Sequence, residues 1–258
     1  DVKIGRMNPF DDYQNAQANL SAYCTLNPIV RGETFATRYT NGNLTYRSDS
    51  GSANYGRGIG TIVKNSGKWY FEHTCDYQGI GVGWTKAPWR MNSTDDYIGK
   101  AGDYAIATGG TGGTPSSMEK KLGTSHSSFG SVPAVGDVIS CLVDFDNTTM
   151  SFWLNGSTAN SWGDITTSLP TGDYVPLIGD GYQGGNVKGT LNFGQFPFRY
   201  TPPEGYKALT VNTSEPPTII RSDKYVGVTT YIGTGNGTIN VNQDFNFQPD
   251  LMMFKYLT

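Results

Sequence analysis

Two carboxylates, Asp144 and Asp146, stand two positions apart in the stretch VDFDNTTMSFWLNG (143–156), and Asn147 follows them directly. On a β-strand, residues i and i+2 share a face, so the pair would project together, opposite to Val143 and Phe145. Two such carboxylates can ligate a hard cation such as Ca²⁺ or share a proton in acid–base work. A calcium loop needs further oxygen ligands at alternate positions, a Gly and a distant Glu. Here Thr148 and Thr149 come next and then an apolar run. The simpler reading is the solvated end of a hairpin joining VISCLVDF to MSFWLNG, with Asp146–Thr149 as a turn whose side chains bond their own backbone. Metal or acid–base use of the pair is the sharper alternative.

Other reactive residue types lack the company that chemistry needs. No Gly-x-Ser-x-Gly elbow is present. His126 lies in GTSHSSFG, which reads as a polar loop, and His73 lies between Phe71 and Cys75 on an apolar strand face, where a core His bonded to backbone is expected. Cys24, Cys75 and Cys141 are widely spaced with no CxxC, so a structural zinc site is not expected, and Cys141 reads as a buried free thiol. GIGVGW and GGTGGTPSS have neither dinucleotide spacing nor a Gly-Lys-Ser/Thr, and the second reads as a mobile loop. No catalytic residue, metal ligand or cofactor is expected. TKAPWRMNSTDDY (85–97) is different, because it gathers Trp89, Arg90, Met91 and Tyr97 in a loop-like stretch. These types dominate binding hot spots and loops tend to carry function; the competing reading is that Trp89 caps the edge of the core.

The elements that must position these residues are strands. Of 258 residues, 34 are Gly, 13% are aromatic and only 16% are charged, a balance that favours turns and pleated surfaces over helical Lys/Glu pairs. Period-two alternation recurs in GKWYFEHTCD, GIGVGW, GDVISCLVDF, MSFWLNG, YVPLIGDG and GTLNFG, and also in YVGVTTYIG and GTINV near the end. The expected fold is all-β, a sandwich of two antiparallel sheets. A net charge of −3 lacks the basic excess that a sequence-independent hold on nucleic acid requires, and no apolar run approaches the ~20 residues of a membrane span. Neither nucleic-acid binding nor membrane insertion is expected.

Along the chain, residues 1–22 read as an N-terminal arm or linker, 23–210 as the sandwich, 211–222 as a Pro-containing linker, and 223–258 as the start of a second β module. The first residue is Asp and the last residues, LMMFKYLT, form an apolar run, so a piece of a longer protein is expected.

SGKWYFE, GIGVGWTKAP, VGDVISCLVDFDNTTMSFWLNG, YVPLIGDG and LNFGQFPFRYTPPEGYKAL occur in the order, and at about the spacing, of the SPRY (B30.2-like) domain. The chain resembles that family over about residues 23–210. It is most similar to the version found in bacteriophage virion proteins, notably tail fibres, where a leading LNP (26–28) and NGNLT (41–45) precede the Gly-Lys-Trp-Tyr strand. FQPDLMMFK (247–255) resembles the module that follows SPRY there, with Met252 and Met253 departing from the family's Val-Trp. The resemblance implies a bent, jelly-roll-related β-sandwich without catalytic residues, located in the virion. It would bind a host cell-surface glycan or protein through loops at one end, alongside other virion proteins. Fibre symmetry would add a homotrimer formed through segments outside this chain. Structural decoration of a capsid, neck or tail is the alternative, and a polysaccharide depolymerase using Asp144 and Asp146 is a third reading. No binding residue carries over by motif, so Trp89, Arg90, Met91 and Tyr97 rest on loop position and residue type alone.

Overall fold

A computed structural model describes residues 23–31, 37–48, 56–77, 79, 81–88, 97–111, 114–180 and 188–210. The arm 1–22, the linker 211–222 and the second module 223–258 lie outside the described residues, as do Trp89, Arg90 and Met91. Among the described residues there is no helix.

The strands, in chain order, begin with β1 (Leu26–Arg31), β2 (Thr37–Thr40), β3 (Thr45–Ser48), β4 (Arg57–Gly60) and β5 (Lys68–Cys75). They continue with β6 (Gly81–Lys86), β7 (Asp103–Thr111), β8 (Thr114–Leu122), β9 (Ser125–Ser128) and β10 (Val138–Asp144). The last are β11 (Thr149–Leu154), β12 (Gly163–Thr166), β13 (Tyr174–Gly179), β14 (Lys188–Asn192) and β15 (Lys207–Ala208). Sheet I has the order β1-β4-β13-β6-β7-β8-β9; sheet II has the order β12-β11-β10-β5-β14-β3-β2. All neighbours are antiparallel except β15, which lies parallel to β5. The expected two-sheet antiparallel sandwich is the fold. GGTGGTPSS, expected as a loop, is instead mostly strand: β7 and β8 pair across it with a register shift at Gly109/Gly110. SHSS, also expected as loop, forms the edge strand β9.

Alternation explains the core. Trp69, Phe71 and Cys75 point inward from β5, Val82 and Trp84 from β6, Ile139, Cys141 and Val143 from β10, and Tyr174 and Ile178 from β13, all of them buried. Aromatic rings carry the contact between the sheets. Phe71 meets Phe193 at 5.2 Å and Trp84 at 5.7 Å; Trp84 meets Phe145 edge-on at 5.8 Å, and Phe145 meets Tyr174 at 5.2 Å. Such spacings are those of attractive ring pairs.

Two outward residues in the middle of β5 are buried as well. Tyr70 is fully buried and Glu72 is 3% exposed, because the chain after β14 returns across this face. Glu72 is a buried carboxylate and keeps its charge only if donors replace water. It accepts the backbone N–H of Arg199 (2.9 Å) and of Tyr200 (2.8 Å), and the hydroxyl of Tyr70 (2.9 Å). Tyr70 has one proton to give, so Ser140, 2.8 Å away, donates to it in turn. Phe198 completes the cover edge-on to Tyr70 at 4.7 Å.

Replacing Glu72 by Ala strands these three donors. It is expected to cost about 3 kcal/mol in urea denaturation and to expose the Arg199 and Tyr200 amides to hydrogen exchange. Glu72→Gln, which keeps an acceptor, should lose less. Undiminished protection of both amides in Glu72→Ala would show that the tail docks without this carboxylate.

Candidate functional site

Asp144 and Asp146 mark the end of the β10–β11 hairpin, as expected, but only Asp146 is solvated. Asp144 is 4% exposed and both its oxygens are occupied. Oδ1 accepts the backbone N–H of Asp146 (3.1 Å) and Asn147 (2.9 Å); Oδ2 accepts the Asn147 side-chain amide (2.8 Å) and pairs with Lys68 Nζ (3.0 Å). Burial alone would raise its pKa, but the bonds from Asn147 and the nearby Lys68 ammonium outweigh it and hold the carboxyl below its ordinary range. Asp146 is exposed and accepts the Gly67 N–H at 2.9 Å. The turn occupies 145–148, one residue earlier than expected, with Thr148 at φ 56° and Asp144 opposite Thr149. Each acid therefore holds backbone. Among the described residues no three His, Cys, Asp or Glu side chains converge as metal ligands would.

Of the four loop residues singled out from the sequence, Tyr97 alone is described. It is half-buried, with Lys100 Nζ 3.9 Å from its ring centroid. The segment 97–102 does not project away from the sandwich but folds onto the outer face of sheet I. Ile98 is fully buried and its N–H donates to the Asp180 carbonyl at 2.9 Å. Small residues make room for it: a Cβ at Gly81 would meet Ile98 Cδ1 at 2.7 Å. Asp103, fully buried at the start of β7, accepts the backbone N–H of Gly99 (3.0 Å) and Lys100 (2.9 Å) through Oδ2. Its other oxygen pairs with Arg57 Nη2 at 2.7 Å, and Arg57 is itself 3% exposed. The sequence reading missed this pair. Its one signal was an Arg and an Asp placed on strands of Gly and small apolar residues, where a charge has to be buried and therefore needs a partner.

His73 and the thiols are core groups. Burial pushes the His73 imidazole down to about 4, against a weaker opposite pull from Asp76. Its Nδ1 lies 3.9 Å from Cys75 Sγ, and its Nε2 has no hydrogen-bond partner among the described residues. The backbone bond expected for it is absent because Nε2 points at Gly189, where any Cβ would collide with it. Cys24, Cys75 and Cys141 are free and buried, as expected for Cys141. Burial raises all three thiols, Cys24 to about 11, so none is a thiolate at neutral pH. His126 is exposed on β9.

A two-sheet antiparallel sandwich whose buried acids hold turns and crossing segments is a scaffold that presents surfaces. The SPRY domain family matches residues 68–196, and the chain belongs to that family. SPRY domains are generally protein-interaction modules. The chain is 27% identical over 147 residues to the ATP-dependent RNA helicase Ddx1 of Drosophila melanogaster and 26% identical over 146 residues to DDX1 of Xenopus laevis. These matches cover 57% and 56% of this chain but only 18% of each helicase. Among solved structures, the SPRY domain of human HERC1 superposes with a TM-score of 0.50 at 16% identity, over 67% of this chain and 99% of that one.

The burial of His73 makes stability depend on pH. The unfolded imidazole takes up a proton near its ordinary 6.5 and the folded one only near 4, so between these values the unfolded state binds more protons. Stability is complete above pH 6.5 and falls as pH drops through this window, by roughly 3 kcal/mol in all at about 1.4 kcal/mol per unit. Urea midpoints followed from about pH 7 down to about pH 4.5 should show the fall, and His73→Leu should flatten it. A wild-type curve that is level over that range would refute the assignment.

Proposed function

We propose that this chain is a non-catalytic binding module of a bacteriophage particle, part of a tail fibre or another host-facing appendage, that recognises a cell-surface glycan or protein. The observation that carries this reading is the ordered set of flanking motifs around the SPRY core, LNP (26–28), NGNLT (41–45) and FQPDLMMFK (247–255), which resembles the virion version of the domain. Membership of a family of interaction modules supports binding as the activity. The bonds that occupy Asp144 count against a depolymerase, since glycoside hydrolysis needs two available carboxyl groups flanking the scissile bond. In this reading the stretch with Trp89, Arg90, Met91 and Tyr97 contributes to the receptor contact, neighbouring virion proteins hold the module, and segments outside this chain supply a homotrimer.

The test is adsorption. Trp89→Ala combined with Arg90→Ala is expected to leave the melting temperature of the chain unchanged and to lower adsorption of particles to host cells by about tenfold or more. Unchanged adsorption would remove this stretch from the receptor contact. A particle map with the domain enclosed between capsid, neck or tail subunits would replace the receptor reading with structural decoration.

A further inference from the structure

The outer face of sheet II is covered only in part by the returning tail. Over β5 and β10 it is closed: Tyr70, Glu72, Ser140 and Leu142 are all buried. Over β11 the cover is incomplete. Phe152 points into the core, so alternation sends Ser151 and Trp153 outward. Trp153 lies opposite Ser140 on β10 and remains half-buried.

Two tail tyrosines bracket it. The Tyr200 carbonyl lies 3.4 Å from the Tyr70 hydroxyl, and the Tyr200 hydroxyl reaches Asn155 Oδ1 at 3.4 Å. Its ring packs against Gly156, where a Cβ would come within 2.5 Å of Cδ1. That places Tyr200 at the Asn155 end of β11. Tyr206 lies toward the opposite end: its ring centroid is 5.9 Å from Lys68 Nζ, which pairs with Asp144 at the end of β10 that adjoins the hairpin turn, and Asp164 is paired with Ser151 across β11 and β12. All three rings are half-buried, and Asp164 and Asn155 are exposed beside them.

The indole is held in place. Trp153 Nε1 donates to Ser151 Oγ at 3.0 Å, which orients the ring along the strand, and the residue stays partly exposed. An aromatic side chain fixed in advance loses little freedom on binding. Aromatic surface with an exposed carboxylate, Asp164, on the same face is the complement of a pyranose, whose C–H face stacks on a ring while its hydroxyls donate to an acceptor; the Asn155 amide is already engaged by the Val138 N–H, the Tyr200 hydroxyl and Asp137. Charge narrows the choice of sugar. The exposed carboxylate on this face is Asp164, opposite Ser151, and Lys68, 5.9 Å from the Tyr206 ring centroid, is already joined to Asp144 at 3.0 Å. A uronate or sialic acid would meet like charge.

We propose that the outer face of β11, centred on Trp153 between Tyr200 and Tyr206, is a subsite for a neutral hexopyranose of a cell-surface polysaccharide. This goes beyond the receptor reading, because it rests on side chains of the sandwich itself and holds whether or not the 85–97 stretch touches a receptor.

The probes are the methyl glycosides of glucose, galactose, mannose and N-acetylglucosamine, with sialyllactose as the acidic arm. Each is titrated into the full chain and followed by saturation-transfer NMR and indole fluorescence. Saturable binding of at least one neutral glycoside is expected with a Kd on the order of 1 mM, with sialyllactose bound at least about tenfold more weakly. Trp153→Ala should abolish the saturation, at the cost of a few degrees of melting temperature for the lost packing, and is titrated where it is fully folded; Asp164→Ala, at an exposed position, should weaken binding with a melting temperature close to that of the wild type. The proposal falls if no neutral glycoside saturates below about 100 mM, if both variants bind as the wild type does, or if sialyllactose binds as well as the neutral sugars. None of these results bears on adsorption of the Trp89 and Arg90 variant, so the two readings fail separately.

Discussion

The carboxylate of Glu72 is the constraint on which the outer half of sheet II depends. It sits on β5, whose inward side chains Trp69 and Phe71 belong to the main core and whose edges pair with β10 on one side and with β14 and β15 on the other. A charge at 3% exposure in that position is tolerable only because the tail brings two backbone N–H groups to it. The dependence runs both ways. The tail has little regular pairing of its own before β15, so capture by Glu72 fixes where Phe198, Tyr200 and Tyr206 come to rest, and with them the surface next to Trp153.

The same device appears at two other places. Asp103 accepts the consecutive N–H groups of Gly99 and Lys100, and Asp144 those of Asp146 and Asn147. Each carboxylate holds two successive amides of a segment outside the ladders, where backbone donors would otherwise lack partners. The three differ in how their charge is met: Asp103 by the buried guanidinium of Arg57, Asp144 by the partly exposed ammonium of Lys68, and Glu72 by hydrogen bonds, of which the Tyr70 hydroxyl supplies one. In a chain built on turns and with few charges, acids are spent on shaping irregular backbone.

This use of acids explains what the sequence could and could not reveal. Period-two alternation with large apolar residues located β5, β6, β10, β11, β13 and β14, because in these strands one set of side chains must enter the core. It did not reveal β7 and β8, where DYAIATGGT alternates Tyr104, Ile106 and Thr108 with Ala and Gly whose smallness serves close packing on the outer side. Nor did it reveal β9, whose four residues are all exposed and so carry no burial pattern. The turn after Asp144 was legible because its donors are local. Glu72 was not, since its partners lie 127 and 128 residues further on, and neither was the burial of Asp144, which follows from the surrounding packing. The 85–97 stretch was legible as an interruption between strands, but the return of 97–102 onto sheet I depends on Asp103 and on glycines of other strands.

The two outer faces consequently differ in what they have left to offer a partner. On sheet I the chain itself occupies the middle of the face: Ile98 lies beside Gly81, Asp103 and Arg57 neutralise each other beneath, and Ile59, Ala105, Val175 and Leu177 are all buried. On sheet II the tail closes the face over β5 and β10 but leaves Trp153 on β11, one strand from the sheet edge formed by β12. A polysaccharide is an extended chain and needs a path on and off its subsite. A position next to an edge strand provides such a path, whereas the middle of a closed face does not. Of the three half-buried rings, Trp153 is the one that does not belong to the tail, so a polymer on the proposed subsite need not displace what Glu72 holds.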